Sequence, residues 1–222
     1  MITLHHLENS RSQRILWLLE ELAIPFKLRR YERDRKTNLA PDELLKIHPL
    51  GKSPVISDDD RVIAESGPIV EHLIEAYGQK FIPQKGTEDY QNYRYFMHYA
   101  EGSFMPLLIM SLIFHKVVSK SPFLIKPITQ GISDQVNKQY IAPNISRNLD
   151  FMEKTLEKTL WFAGDKLSGA DFMMWMAAEG AEVRRDLNQY PKLQAFLKRV
   201  RAREAFQSAI KKGGPFSLKN SG

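Results

Sequence analysis

The stretch Lys52-Ser53-Pro54-Val55-Ile56, followed nine residues later by Glu65-Ser66-Gly67, decides how the first part of this chain folds. Proline has no N–H for a sheet ladder, so Pro54 ahead of a strand-like stretch indicates a turn, and a cis peptide bond is one reason to keep it there. Glu65 and Ser66 then offer a carboxylate and a hydroxyl at the start of a helix. These groups could form a small pocket for a short peptide that carries an amine and carboxylates. The alternative is an edge-strand turn followed by an ordinary helix cap.

Strand and helix patterns around that stretch predict an α/β domain over residues 1–80. Broad apolar periodicity indicates a first helix that Pro25 ends, and Ser66 can cap a last helix that Gly78 ends. The predicted elements are strand 2–4, helix 15–22, strand 26–31, a short helix at 41–45, strands 55–57 and 62–64, and helix 66–77. Their order is βαβαββα.

The pattern changes after a linker that contains Pro83 and Gly86. From Thr87 onward only helical periodicity is present, which predicts an all-α domain over residues 87–222. Helices are predicted through 88–118, 123–159, 169–184 and 190–211, with breaks at Pro122, Pro143 and Gly164. The chain is therefore expected to combine an α/β domain with an all-α domain.

The composition excludes several classes of site. The sequence has no cysteine, which removes disulfides, thiolate metal sites and an enzyme thiol, and a reducing cytoplasmic location is the natural expectation. No secretory signal is visible, and the apolar run 104–114, interrupted by Pro106, is shorter than the roughly 20 residues that span a bilayer. Because that run is too short to span a bilayer, no membrane contact is expected. His5 and His6 are neighbours on a strand and point to opposite faces, so no metal site is expected either.

The net charge of +6 is concentrated in the last third of the chain, mainly between residues 181 and 212. A basic stripe can bind nucleic acid. However, no aromatic stacking residues are interleaved with these charges and no nucleic-acid motif is present, so a solvated helix face is the favoured interpretation. The excess positive charge would favour anionic small molecules by electrostatic steering.

Three motifs, in this order, resemble the cytosolic glutathione S-transferase family. The segment 10–22, SRSQRILWLLEEL, is similar to the first helix of bacterial and fungal members. The segment 48–54, HPLGKSP, is similar to the stretch around the family's cis-proline, and Ser168-Gly169-Ala170-Asp171 is similar to the capping box of its helical domain. The likeness covers nearly the whole chain. It implies an N-terminal thioredoxin-like βαβαββα domain and a C-terminal all-helical domain.

The resemblance also gives the residues of the first stretch their roles. A cis-proline at Pro54 would present the backbone N–H and C=O of Ser53 to the cysteinyl part of glutathione, as a short strand would. Glu65 would face the ammonium of the γ-glutamyl group, and Ser66 with the helix N–H groups would face its α-carboxylate. Lys52 is expected to meet the glycine carboxylate.

The group that activates the glutathione thiol is expected in the loop before the first helix. Tyrosine-type members use an early tyrosine, which this chain lacks before Tyr31, and cysteine-type members are excluded as a model. The position best matched to the serine of serine-type members is Asn9, with Ser10 adjacent, which departs from the family pattern. Ser10 is the first candidate, with Asn9, Ser12 and Arg11 as further donors, and Arg11 and Ser12 are also expected near glutathione. The alternative is that Ser10 or Ser12 only caps the helix.

The resemblance places the second-substrate pocket at the loop after the first strand and the first long helices of the second domain. An apolar, methionine-bearing pocket suits a loosely specified hydrophobic electrophile. Ser168 and Asp171 are expected to be purely structural, as a capping box. The candidate pocket residues are His6, Tyr95, His98, Tyr99, Met105 and Phe114.

The function implied by the resemblance is a homodimeric glutathione transferase of detoxification, with glutathione as co-substrate and no metal or redox cofactor. Glutathione-dependent reduction of disulfides or peroxides is an alternative, because both thiols can come from substrate. A third reading is a non-catalytic protein of the same fold that binds glutathione or a hydrophobic ligand. The dimer is expected to use the helix that carries Tyr90, Tyr93, Tyr95, Phe96 and Tyr99.

Overall fold

The first domain is built on one mixed sheet of four strands. The structure, a computed structural model, describes residues 1–214 and 216; the remaining residues of the predicted 87–222 domain lie outside the described part. The strands are β1 (Ile2–Leu7), β2 (Phe26–Tyr31), β3 (Val55–Asp58) and β4 (Arg61–Ala64), in the order β2-β1-β3-β4. β1 is parallel to β2 and antiparallel to β3, and β3 is antiparallel to β4. The four strands occur at the predicted places along the chain, with β1 longer than expected.

Two α-helices complete this domain, α1 (Ser12–Leu22) and α2 (Ser66–Tyr77). The short helix predicted at 41–45 is a 3-10 helix at Asp42–Lys46, and a second 3-10 turn spans Gln79–Phe81. Only Leu44 is buried in the first of these segments, so too little apolar surface is covered to stabilise a longer α-helix.

The second domain is helical throughout the residues that the structure describes. Its helices are α3 (Glu88–Tyr99), α4 (Met105–Lys120), α5 (Lys126–Val136), α6 (Ala142–Lys158), α7 (Gly169–Arg184), α8 (Pro191–Arg201) and α9 (Glu204–Gly213). The prediction of one helix over 190–211 was wrong, because Ala202 and Arg203 separate α8 from α9. The α/β plus all-α architecture is confirmed.

Two prolines lie inside long helices without breaking them. α3 and α4 are joined through a π-helical turn at Ala100–Phe104, and α5 and α6 through another at Asn137–Ile141. Pro106 and Pro143 each follow such a turn. Proline lacks the N–H and clashes with the carbonyl four residues earlier, and a π turn changes that pairing. The expected break at Pro143 is therefore wrong.

The middle of α1 is apolar on every side because it is covered on every side. Its five consecutive residues from Ile15 to Leu19 are fully buried. α1 contacts β1 and α2 in its own domain, and α7 and α9 in the second domain. The helix thus belongs to the cores of both domains and fixes their relative placement.

α9 fastens the end of the chain to α1 through packing and charge. Phe206 packs edge-on against Trp17 with ring centroids 5.6 Å apart. Arg203 is paired with Glu21, with 2.8 Å between Nη2 and Oε2, and Lys212 Nζ lies 2.6 Å from Glu20 Oε1. We refer to these contacts as the α1–α9 interface.

By length and composition alone, the continuous helix Glu88–Lys120 could cross a bilayer. The same test is passed by core helices of soluble proteins. Here Phe96, Phe104 and Leu108 of this helix are buried in the hydrophobic core. One face of the helix therefore packs in the core of the second domain, and 22% of its most apolar 18-residue window is buried.

Candidate active site

A cavity of about 570 Å³ lies between the two domains. The first domain contributes the loop after β1, the segment around the 3-10 helix, and Gly51 to Ser53. The second domain contributes α4, α7 and Phe216. The predicted residues Asn9, Ser10, Arg11, Lys52 and Ser53 all lie on its wall.

The Ser53–Pro54 segment is held against β1 at one side of this cavity. The Ser53–Pro54 peptide bond is cis. Ser53 Oγ donates to the carbonyl of His5 at 2.9 Å and accepts from the N–H of Leu7 at 3.2 Å. The side chain of Ser53 thereby fastens the loop to the strand, a role that the sequence did not suggest. Pro54 follows Ser53 and precedes Val55, which pairs with Ala64 in the β3–β4 ladder.

That ladder brings Glu65 and Ser66 next to Pro54, at the start of α2. Glu65 is exposed and has a φ of 73°, an uncommon conformation for a residue with a side chain. Ser66 is only 3% exposed, and its Oγ has no hydrogen-bond partner among the described residues. A buried hydroxyl without a partner is costly. The N-terminus of α2 therefore presents an unused hydroxyl where helix N–H groups favour an anion.

In the loop before α1, by contrast, the serine hydroxyls already have hydrogen-bond partners within the protein. Ser10 Oγ lies 2.8 Å from the carbonyl of Leu7, to which it donates, and accepts from the N–H of Ser12 at 3.2 Å. The two hydroxyls of Ser10 and Ser12 are 2.8 Å apart. Asn9, just before them, has a φ of 47°. Ser10 thus faces the cavity while its hydroxyl holds the loop.

Behind Ser12 the network continues through His6 to the end of α9. Ser12 Oγ is 2.8 Å from His6 Nδ1, and His6 Nε2 is 3.1 Å from the carbonyl of Gly213. Because that carbonyl can only accept, Nε2 carries the proton and Nδ1 accepts from Ser12. Burial lowers the pKa of His6, which keeps the ring neutral. Ser12 is fully buried and is therefore not placed to touch a ligand in the cavity.

An ion-pair cluster joins this loop to the second domain. Arg11 Nε lies 2.9 Å from Glu101 Oε2, and Arg14 Nη1 lies 2.7 Å from Glu101 Oε1. Although burial opposes ionisation, the two guanidinium groups hold the pKa of Glu101 below its ordinary value. Arg14 is fully buried, and its Nε and Nη2 have no partner in the described part of the chain. Sequence reasoning missed Arg14 and Glu101, because their pairing depends on how the domains meet.

Of the six residues predicted for the second-substrate pocket, the structure places Met105 on the cavity wall and the others elsewhere. His6 is buried in the network under α9. Tyr99 is 6% exposed and bonded to Asn148, and Tyr95 is 50% exposed beside Phe151. In this structure these three side chains do not line the cavity, because His6 and Tyr99 are buried and Tyr95 is exposed beside Phe151.

His98 and Phe114 are also outside the cavity. His98 is exposed on α3, and it does not line the cavity. Phe114 lines a separate, polar cavity of about 400 Å³ between α4, α5 and the end of α7. The residues that sequence reasoning missed are Leu108, Ile109 and Leu112 of α4, Met176, Gly180 and Arg184 of α7, and Phe216.

A local signal could have found the α4 residues but not those of α7. Met105, Leu108 and Leu112 follow the i, i+3, i+7 spacing of one helix face. α7 is apolar almost all round, with twelve buried residues, so its pattern does not single out the face at the cavity.

The predicted capping box at the start of α7 is present. The N–H and Oγ of Ser168 donate to Asp171 Oδ2 at 2.8 and 2.9 Å, and the N–H of Phe162 donates to Oδ1 at 2.9 Å. Burial raises the pKa of Asp171 to about 6, against the lowering effect of these hydrogen bonds. Asp171 is fully buried and acts on the fold, as predicted.

Comparison with known proteins finds matches to both domains and to relatives of similar length. Residues 4–81 match the family model for the glutathione S-transferase N-terminal domain, and residues 123–213 match the model for its C-terminal domain. Glutathione S-transferase 3 of Schizosaccharomyces pombe is 34% identical over 215 residues, 96% of this chain and 88% of the relative. The disulfide-bond oxidoreductase YfcG of Escherichia coli is 26% identical over 221 residues, 96% of this chain and 95% of the relative.

A solved structure also covers the whole chain. The glutathione S-transferase of Actinobacillus pleuropneumoniae superposes with a TM-score of 0.82 at 30% identity, covering 100% of this chain and 97% of that one. Both halves of the chain thus match the family, over the α/β domain that carries Pro54 and the helical domain that closes the cavity. This chain belongs to the glutathione S-transferase family.

Proposed function

We propose that this protein is a glutathione transferase that stabilises the glutathione thiolate for attack on a hydrophobic electrophile. The observation that carries the proposal is the hydroxyl of Ser66 at the N-terminus of α2, next to Pro54, which is buried and has no partner among residues 1–214 and 216. A carboxylate is the acceptor that such a hydroxyl and a helix N-terminus favour. Glutathione supplies one at its γ-glutamyl end.

In this proposal glutathione extends from the first-domain wall of the cavity, at Lys52 and Ser53, to the start of α2, which lies outside the cavity lining. Its γ-glutamyl carboxylate accepts from Ser66 and the first N–H groups of α2, and its ammonium faces Glu65. Its cysteinyl backbone pairs with the N–H and C=O of Ser53. Its glycine carboxylate meets Lys52, which is exposed on the cavity wall.

The sulfur is then proposed to lie at Asn9, Ser10 and Arg11, at the N-terminus of α1. A free thiol has a pKa of about 8.5, and a helix N-terminus and nearby cations lower it. Ser10 is the candidate hydroxyl donor, but its proton is given to the carbonyl of Leu7 at 2.8 Å. The sulfur must compete for it, so we assign most of the stabilisation to the helix N-terminus and Arg11, and a smaller part to Ser10.

The reaction needs no group from the enzyme that forms a bond. The thiol proton leaves to solvent, the thiolate sulfur forms a bond to the electrophilic carbon, and the leaving group departs with its electron pair. Met105, Leu108 and Met176 provide an apolar wall for the electrophile. The protein contributes binding, orientation and stabilisation of the thiolate.

Glutathione-dependent reduction of a disulfide is the second candidate, and the relative named as a disulfide-bond oxidoreductase favours it. The thiolate would attack one sulfur of the disulfide and release the other as a thiol. A second glutathione would then resolve the mixed disulfide, forming oxidised glutathione. The absence of cysteine from this chain is compatible with that scheme, because both reducing thiols come from glutathione.

The decisive experiment is retention of the full chain on glutathione resin, followed by two assays. One assay is conjugation of 1-chloro-2,4-dinitrobenzene, and the other is glutathione oxidation by bis(2-hydroxyethyl) disulfide. We expect elution by free glutathione and conjugation well above the uncatalysed rate. Turnover of the disulfide alone would favour the reductase. Retention without turnover of any electrophile or disulfide would favour a ligand-binding protein.

We also propose a homodimer in the cytoplasm, where the glutathione pool is kept reduced. The expected aromatic surface is smaller than the sequence suggested, because Tyr93, Phe96 and Tyr99 are buried within the protomer. Tyr95 remains exposed, as do Ile113 and Val117 on α4. Light scattering that gives the mass of a single chain would exclude the dimer.

A further inference from the structure

Arg184, the last residue of α7, is a partly buried cation on the second-domain wall of the cavity. Its Nη1 donates to the carbonyl of Gly180 at 3.4 Å, a long hydrogen bond within its own helix. Among the described residues, the structure pairs its guanidinium with no carboxylate. Burial lowers the pKa of Arg184, and no neighbouring charge opposes that shift.

The other cations on the cavity wall are an ion-paired arginine, an arginine that bonds two loop carbonyls, and a lysine already proposed to bind glutathione. Arg11 is paired with Glu101. Arg33 donates to the carbonyls of Asn38 and Asn9 at 3.1 and 3.4 Å. Lys52 is the residue proposed for the glycine carboxylate of glutathione. Arg184 is therefore the cation that faces the second-substrate part of the cavity with most of its donors unused.

The surroundings of Arg184 combine apolar surface with positive charge. On the cavity side its neighbours in the wall are Met105, Leu108, Ile109, Leu112, Met176 and Phe216. Arg184 also lines the separate polar cavity, together with His115, Lys126 and Arg185. Asp134 is the carboxylate among the described residues that line that polar cavity, and it accepts from Gln130 at 2.8 Å. Arg184 therefore lies between the apolar part of the main cavity and the polar cavity, which is lined by several basic residues.

A guanidinium in such a place is better satisfied by an anionic ligand than by the protein. The guanidinium is only partly buried and, within the described part of the chain, none of its nitrogens is both buried and unpartnered, so its donors remain open to a ligand, and a carboxylate, sulfonate or phosphate can accept two parallel N–H bonds from them. An apolar body on the same ligand would cover the wall formed by α4 and α7. The same helix position would suit an arginine that only complements the α7 dipole, so the two roles must be separated by experiment.

We propose that Arg184 selects second substrates that carry an anionic group on an apolar body. The inference rests on the proposed function, since it names the substrate class of the same cavity. It makes Arg184 a specificity-determining residue and gives it no part in activating the thiol.

The first test is binding of two fluorophores that differ by one sulfonate, 8-anilino-1-naphthalenesulfonate and N-phenyl-1-naphthylamine. Both are titrated into the full chain in the presence of glutathione. We expect the sulfonate to bind the wild type more tightly, and Arg184→Gln to reduce that preference by roughly 10- to 100-fold, the effect of losing charge-assisted hydrogen bonds. Arg185→Gln is the matched control, because Arg185 lines the polar cavity only and the change in net charge is the same.

The second test is turnover of 4-(bromomethyl)benzoate and its methyl ester. We compare the ratio of their kcat/KM values between variants, which cancels their different intrinsic reactivity. The kcat/KM of the benzoate divided by that of the ester should fall at least tenfold in Arg184→Gln. It should fall less in Arg184→Lys, which keeps the charge, and stay unchanged in Arg185→Gln.

The outcomes separate this inference from the proposed function. Turnover of the ester with an unchanged ratio in Arg184→Gln would overturn the inference and leave the transferase proposal standing. No turnover of either compound would count against the transferase, while the fluorophore pair would still decide the role of Arg184. If Arg184→Gln does not fold, equal wild-type affinity for both fluorophores overturns the inference, and a smaller preference for the sulfonate in Arg184→Lys supports it.

Discussion

The helices α1 and α2 of the first domain are each entered through a non-glycine residue with positive φ: Asn9, at 47°, before α1 at the cavity wall, and Glu65, at 73°, before α2 next to Pro54. At α1 the hydroxyls of Ser10 and Ser12 are bonded to Leu7 and His6. At α2 the hydroxyl of Ser66 is buried without a partner among the described residues. The hydroxyls at the α1 start therefore bond within the fold, whereas the hydroxyl at the α2 start is the one that we propose for glutathione.

The start of α7 provides a reference for this comparison, because it is buried and fully partnered within the protein. Asp171 there accepts from Ser168 and Phe162. If the comparison is correct, substitutions at partnered helix starts should change stability, and substitution at the α2 start should change glutathione binding.

Asp171→Asn should lower the free energy of unfolding by about 3 kcal/mol at pH 7, because the amide nitrogen of Asn cannot accept and leaves at least one buried donor of Phe162 or Ser168 without an acceptor. The cost should depend on pH. The folded-state pKa of Asp171, about 6, lies above its ordinary value of 3.8, so the stability that comes from protonating it is present at low pH and is lost as the pH rises through 6. The wild type should therefore gain about 1 kcal/mol over the variant between pH 7 and pH 5.

Denaturant unfolding at the two pH values measures this difference. A gain for the variant on acidification would mean that the hydrogen bonds of Ser168 and Phe162 outweigh burial and hold the pKa of Asp171 below 3.8. The Michaelis constant for glutathione should not change, because Asp171 is fully buried in the α7 cap.

Ser66→Ala should raise the dissociation constant for glutathione roughly 10- to 100-fold, because a hydrogen bond to a carboxylate is lost. The free energy of unfolding without glutathione should not fall, and removal of a buried unpartnered hydroxyl favours a small increase. Calorimetric titration and denaturant unfolding give the two quantities.

Ser12→Ala is the matched control, because it removes a buried hydroxyl that has partners. It should lower the free energy of unfolding by about 1–2 kcal/mol. A stability loss in Ser66→Ala with unchanged glutathione affinity would remove the distinction between the two helix starts.

Ser10→Ala should raise the pKa of the bound glutathione thiol by less than about one unit, or roughly 1.4 kcal/mol, because Ser10 already donates to Leu7. Thiolate absorbance against pH, in wild type and variant, measures the shift. A rise of two units or more would show that the hydroxyl turns from Leu7 to the sulfur. An unshifted thiol pKa in both proteins would remove the loop before α1 from the mechanism.

What the sequence predicted well depends on short-range signals. Ser168 and Asp171 are three residues apart and close their own hydrogen bonds, and Pro54 precedes its strand directly. What it missed depends on placement in three dimensions. Arg184 and Met176 line the cavity because α7 packs against α4. His6 does not line it, because its ring is bonded to the carbonyl of Gly213 at the end of α9. Pro143 does not end its helix because a π turn precedes it, and local residue propensities do not predict such a turn.

The α1–α9 interface has a consequence for how the chain is made. Trp17, Glu20 and Glu21 are translated early, whereas Arg203, which pairs with Glu21, follows 182 residues later, and Phe206 comes after it. Domains tend to fold from the N-terminus as synthesis proceeds. One side of α1 must therefore stay uncovered until α9 has been synthesised. A stop codon before residue 204 would leave that side permanently exposed.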